Sequence, residues 1–209
     1  MNTKLKHIIP GYLDINIIPM QSGVIKIEAT RHFNSIGVTR AVSQLLRGFG
    51  INTQDGNFKD TPRRVTKMWS EWMRPQELKL AVFNTSSRGA VTLCGHEAIS
   101  VCPHHLLPFT MSVDLAYIPQ HHVVGLSKLA RLVDLTCASF VLQEHIPQFI
   151  VEVLSTLLLP KGVICRVKAQ HGCMRMRGVK TTGVVSTVAL DGVYLTDEKA
   201  RAEFMEESK

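Results

Sequence analysis

Residues 91–117 read VTLCGHEAISVCPHHLLPFTMSVDLAY. Phe109, Met111, Val113, Leu115 and Tyr117 alternate with polar or small residues. Side chains on a strand point alternately to its two faces, so this period of two predicts a half-buried strand. Val91 to Val101 is its predicted hairpin partner. The connection, Cys102-Pro103-His104-His105-Leu106-Leu107-Pro108, is short and flanked by prolines. A turn of that length can aim a thiolate and an imidazole at one point.

Outward from this hairpin the period changes. Leu126, Leu129, Leu132, Val133 and Thr136 recur at helical spacing over about 126–137. Pro147 opens a second predicted helix, with Phe149, Ile150, Val153, Leu154 and Leu157 inward. Val163, Cys165, Val167 and Ala169 alternate as a third strand, and Thr182 to Leu190 is a fourth. Asp197 to Glu207 reads as a charged terminal helix. Upstream, Val38, Val42, Leu45 and Phe49 predict a helix over about 34–49. Asp60-Thr61-Pro62 can cap another, with Val65, Met68, Trp69 and Trp72 as its apolar stripe and Pro75 as its end. Residues 1–30, with Pro10, Gly11, Pro19 and Gly23, show no clear period and read as an extended arm. The resulting order implies an α+β fold with an antiparallel sheet.

The chain has 209 residues, 45% of them apolar, enough for an ordinary core. No apolar run approaches the ~18–20 residues of a membrane span, and the first ten residues lack a signal-type apolar segment. A cytoplasmic protein is the expectation. Five cysteines without an export signal argue against a disulfide framework. Cys94, Cys137 and Cys165 read as packed thiols. The net charge of +7 suggests an anionic partner and leaves nucleic acid, nucleotide and phosphate metabolite open.

Cys102 and His105, with Cys173 far along the chain, have the chemistry of a metal site. Nitrogen and sulfur donors together most often hold zinc. A finger would keep its two ligand pairs within about 12–20 residues of each other, so this set is assembled by folding. Three ligands with an open fourth position describe a catalytic zinc. His171 and Cys173, two apart at the predicted end of the third strand, would face one side. Gly125-Leu126-Ser127-Lys128-Leu129-Ala130-Arg131 opens a helix, where unpaired N–H groups and two cations favour an anion. Arg64 with Lys67, and Arg175 with Arg177, are further basic pairs. Three such pairs beside a metal set suit a triphosphate.

These segments resemble GTP cyclohydrolase I. The likeness rests on Asp60-Thr61-Pro62-Arg63-Arg64-Val65, Cys102-Pro103-His104-His105-Leu106-Leu107-Pro108-Phe109 and Ala116-Tyr117-Ile118-Pro119. It continues through Gly125 to Arg131, Gln143-Glu144, and His171-Gly172-Cys173-Met174-Arg175-Met176-Arg177-Gly178-Val179. The order and spacing hold from about residue 35 onward.

The resemblance implies a tunnelling fold, with two helices between strand pairs, preceded by a helical region. It divides the chain into an arm (1–30), a helical region (31–85) and a catalytic domain (86–209). It implies Zn2+ on Cys102, His105 and Cys173, with proton handling by His104 and His171. Glu144, with Gln143 beside it, matches the carboxylate that anchors guanine. Ser127, Lys128, Arg131 and Arg177 match residues around the ribose and triphosphate, Ser127 being grouped with the catalytic residues. Arg64 and Lys67 match a further phosphate-binding pair. GTP is the implied substrate and 7,8-dihydroneopterin triphosphate the product. A homodecamer with shared active sites is the implied assembly, with neither membrane nor nucleic acid as a partner.

Two positions depart from the pattern. Pro103 stands where the family usually has Glu, which removes a carboxylate and a backbone N–H. Gly95 replaces a commonly acidic residue. The rival readings are a related nitrile reductase of deazaguanine chemistry with a cysteine nucleophile and a nicotinamide cofactor, an enzyme of the same fold acting on a modified guanine nucleotide, as Pro103 suggests, or a silent zinc module that binds nucleic acid.

Overall fold

A computed structural model of the chain describes residues 14–19, 24–30, 32–73 and 76–208. The chain divides into two compact units, one of them Thr30–Pro75 and the other the remainder. The smaller unit holds helices α1 (Ser35–Gly48) and α2 (Thr61–Trp72). Asn34 caps α1 by accepting from the Gly37 N–H at 2.8 Å. The two helices meet where Thr39 and Thr66 share a hydroxyl hydrogen bond of 2.8 Å. Pro62 lies in the first turn of α2, where its missing N–H costs nothing.

The larger unit contains two four-stranded sheets. The first orders β1 (Asp14–Pro19), β2 (Val24–Thr30), β3 (Gln76–Asn84) and β6 (His122–Val124) side by side. The second orders β4 (Val91–Cys102), β5 (Leu107–Ile118), β7 (Gly162–His171) and β8 (Val185–Gly192), antiparallel throughout. Helices α3 (Leu126–Cys137) and α4 (His145–Leu158) fall between the strand pairs β4–β5 and β7–β8. This is the α+β tunnelling-fold arrangement expected from the sequence.

The period of two in β5 decides which face carries the core. Phe109, Met111, Val113, Leu115 and Tyr117 are all buried in one cluster with the inner stripes of α3 and α4. That cluster also takes Ile17, Ile27, Leu78, Leu80 and Val124 from the other sheet. Ala116, one position out of phase, joins Ile164 in a second cluster under Tyr194 and Phe204. Those two aromatics belong to α6 (Val193–Thr196) and α7 (Glu198–Glu207).

The structure differs from the sequence expectations in a few elements. Residues 76–84, expected within a helical region, form β3. The segments 14–19 and 24–30 of the expected arm are paired strands, and the rest of that arm lies outside the described residues. α4 begins at His145, two residues before Pro147. The third strand stops at His171, and Gly172–Arg175 is a helical turn, α5.

The expected acidic position at 95 also has a structural account. Gly95 lies at a bulge where the β4–β5 register shifts between Leu93 and His96, with φ +66°. Glycine adopts that backbone at no steric cost. Its N–H donates to Asp114 Oδ1 at 2.8 Å.

Candidate metal centre and active site

Cys102 ends β4, and residues 103–106 turn the chain back into β5, which begins opposite it at Leu107. The turn closes through a hydrogen bond from the Leu106 N–H to the Cys102 carbonyl at 3.0 Å. Leu106 reaches this closure at φ +54°, a left-handed conformation that non-glycine residues rarely take. Burial pushes the Cys102 thiol up from its ordinary value, and the nearby Cys173 adds to this. The backbone N–H groups of His104 and His105 hydrogen-bond to the sulfur and pull it back down. The thiolate is therefore supported by positions 104 and 105. Pro103, which has no N–H, removes none of that support.

The second half of the cluster arrives on β7. Register pairing sets His171 directly opposite Phe109. α5 then folds Cys173 back toward Cys102. Gly172 makes this possible, because a Cβ there would stand 2.8 Å from the Pro108 carbonyl oxygen. His171 and Cys173 thus converge through a helical turn, whereas the sequence suggested strand alternation. The ligand atoms of Cys102, His171 and Cys173 all lie within 4.8 Å of one another.

This donor set fits a zinc ion. Bonds of about 2.0–2.3 Å in tetrahedral geometry place ligand atoms roughly 3.5–3.8 Å apart, inside the 4.8 Å within which the three ligand atoms lie. Two adjacent thiolates repel unless a cation lies between them, and beside the larger effect of burial Cys173 pushes the Cys102 thiol further up.

His105, the imidazole expected beside the two cysteines, is not in this cluster. It lies exposed on the turn, and its Nε2 accepts from Arg177 Nη1 at 2.6 Å. His171 takes the place by the sulfurs instead. His104 stays close, with Nδ1 3.6 Å from Cys102 Sγ.

His171 is held on two sides. Its ring stacks on Phe109, and its Nε2 lies 2.8 Å from Gln143 Oε1. Partial burial lowers its pKa below the ordinary histidine value, against the nearby Glu144 carboxylate, which raises it. Burial thus favours the neutral imidazole, the form that a ligand or proton acceptor must take. Glu144 sits exposed at the N-terminal boundary of α4. The Gln143–Glu144 turn is anchored to the sheet because the Val141 N–H donates to the Val101 carbonyl at 3.2 Å.

Ser127, Lys128 and Arg131 occupy the first turns of α3, with Ser127 and Arg131 exposed. Arg64 and Lys67 are exposed on α2, where they approach Asp60 (3.6 Å) and Glu71 (3.7 Å). Both belong to the smaller unit. Arg175 does not continue a strand with Arg177. It lies on α5 and donates to Gln170 Oε1 at 3.2 Å. The stack of Phe109 under His171 was not anticipated from sequence, although both residues lie in the quoted motifs. A cleft of about 830 Å³ lined by Glu97, Ile99, Thr110 and Lys168, among others, contains none of the cluster residues.

Comparison with known proteins bears on this site. The family model described as GTP cyclohydrolase I matches residues 38–209. GTP cyclohydrolase 1 of Aquifex aeolicus (strain VF5) is 38% identical over 171 residues, which cover 80% of this chain and 93% of the relative. GTP cyclohydrolase 1 of Streptococcus agalactiae serotype Ia is 36% identical, covering 82% and 96%. That of Chlorobium phaeovibrioides is 37% identical, covering 80% and 78%.

Proposed function

The chain belongs to the GTP cyclohydrolase I family, and on that premise we propose zinc-dependent opening of the GTP imidazole ring, with formate release and formation of 7,8-dihydroneopterin triphosphate. The observation that supports this most directly is the convergence of Cys102, His171 and Cys173 within 4.8 Å. Zinc bound there would supply a Lewis acid able to lower the pKa of water to about 7. Cys102 and Cys173 hold it, with a histidine as third ligand. His105 is the family's choice for that role, and His171 is the imidazole already beside the sulfurs.

The remaining groups divide the work on the substrate. Glu144 accepts two hydrogen bonds from guanine N1–H and the exocyclic amine, a donor pair that adenine lacks. His104 and His171 carry protons to and from the ring nitrogens as the bonds at C8 break, which suits an imidazole near neutral pH. Ser127, Lys128 and Arg131 offer a hydroxyl, two cations and the N–H groups of the α3 start to ribose and phosphate. Arg177 and the Arg64–Lys67 pair add positive charge for the triphosphate. After formate leaves, the exposed ribosyl amine rearranges and closes on the diaminopyrimidine.

The family resemblance supports a homo-oligomer, a decamer with active sites shared among subunits, working in the cytoplasm. No helix among the described residues is long and apolar enough to cross a membrane. The deciding experiment incubates the purified protein with GTP. It looks for formate and, after oxidation, a fluorescent pterin. Neither product forming with zinc supplied would reject the reading.

A further inference from the structure

Gln143 is a polar residue that the fold buries almost completely, at 3% exposure. A buried amide must satisfy both its donors and its acceptor. Its Nε2 lies 3.1 Å from the Val167 carbonyl on β7 and 2.9 Å from the Val185 carbonyl on β8, with Thr187 Oγ1 at 3.3 Å. Backbone carbonyls only accept. The nitrogen end of the amide must therefore face the strands, because a flipped side chain would set oxygen against two oxygens. The orientation of Gln143 is fixed by the sheet itself.

That orientation dictates the state of its neighbour. The remaining end, Oε1, has no hydrogen and lies 2.8 Å from His171 Nε2. An acceptor can only meet a donor there, so Nε2 carries the ring proton. In a neutral imidazole the other nitrogen then holds the lone pair. Phe109, stacked with 8° between planes, keeps the ring in the plane this bond requires.

We propose that Gln143 is a positioning residue, which holds His171 as the Nε2–H tautomer and so makes Nδ1 the only ring nitrogen free to ligate a metal or accept a proton. Its amide hydrogens are already committed to the two strand carbonyls. The side chain therefore has no donor left for a purine, and its place beside Glu144 serves the histidine rather than the base. The same bonds tie the turn before α4 to β7 and β8, so the tautomer is set by the strand pairing that defines the sheet.

This inference rests on the reading of His171 as a working group of the site, and its test does not use GTP turnover. Ring nitrogens of the 15N-histidine-labelled, zinc-loaded protein are followed by NMR, with His171 assigned by its loss in His171→Asn. The expected spectrum shows the proton on Nε2. Gln143→Met keeps the length and removes the amide; it should leave His171 as a mixture of the two tautomers in the same spectrum, because nothing then accepts from Nε2. Finding the wild-type proton on Nδ1 overturns the proposal even if the Met variant does not fold. So does a folded Gln143→Met protein in which the proton stays wholly on Nε2. Failure of the formate assay alone would reject the proposed reaction and leave the tautomer assignment standing.

Discussion

The imidazole of His171 lies flat against the ring of Phe109, with 4.4 Å between centroids. Register makes this contact inevitable, since the two residues pair across β5 and β7. Stacking of this kind adds about 0.5–1.5 kcal/mol beyond apolar burial. Phe109→Leu should leave the fold intact and lower stability by roughly 1–3 kcal/mol, a typical cost for a core change of this size. Urea unfolding measures the loss. Phe109→Ala should cost about 3–5 kcal/mol, because a cavity is added.

Metal content separates the two candidate histidines. Cys102→Ser and Cys173→Ser should each lose stoichiometric zinc by elemental analysis. Of the histidine variants, only the one that removes the third ligand should do the same. Retention of zinc by His105→Ala and loss by His171→Ala would assign the ligand to His171. The opposite result would mean that the contact of His105 with Arg177 is exchanged for the metal. Zinc at full occupancy in both cysteine variants would eliminate the centre.

Glu144→Gln should hold its zinc and lose substrate recognition. A hydrogen bond to a charged group is worth about 1.5–3 kcal/mol, so kcat/KM for GTP should fall roughly 10- to 100-fold. Steady-state kinetics beside a zinc assay tests this. An unchanged kcat/KM would remove Glu144 from the guanine site.

The depressed pKa of His171 has a defined sign. Its folded-state value lies below the ordinary 6.5, because burial disfavours the charged ring. Between those values the unfolded chain binds more protons than the folded one, so stability rises with pH across that window. The contribution is complete above about pH 6.5 and is lost as pH falls through the folded pKa. Denaturant midpoints from pH 8 to pH 5 should therefore drop more steeply for the wild type than for His171→Asn. Parallel profiles would contradict the assignment.

Much of this architecture was legible from periodicity, and the misses have physical causes. The alternation in 109–117 and 163–169 marks strands, although the half-buried reading fails for residues 113–117 and 163–165, which are covered on both faces; α3 and α4 show their inward stripes except at Leu126, which is exposed. Leu78, Leu80 and Val82 alternate just as clearly in β3, but its partner strands β2 and β6 lie far away in the sequence, so no adjacent hairpin marks the segment as a strand. Ile25, Ile27 and Ala29 were hidden by the prolines and glycines around them. The three residues of β6 are too few to show any period. At the site, the cysteines were readable because few chemistries use thiols at such spacing. The choice of imidazole was not, since it depends on the fold of α5 and on a glycine that admits the Pro108 carbonyl. The role of Gln143 depends on carbonyls from two strands, which no local pattern encodes.

A buried ion pair on the opposite side of β5 gives a further stability test. Asp114, 2% exposed, accepts from Gly95 N–H and pairs with Arg166 at 3.1 Å. Among the described residues, Arg166→Met would leave that carboxylate with only the more distant Lys168, at 3.7 Å, as cation. Removing one member of a buried pair typically costs about 3–5 kcal/mol. Thermal unfolding should show a correspondingly large fall in Tm, and a change within about 0.5 kcal/mol would refute the importance of the pair.

Arg166 also donates to the backbone carbonyl and to the hydroxyl of Ser208, which is buried at the end of α7. The tail is thus riveted to the middle of the sheet through the same guanidinium that neutralises Asp114. Removing Ser208 would strip two acceptors from an interior cation, so this residue behaves as part of the scaffold and tolerates editing poorly.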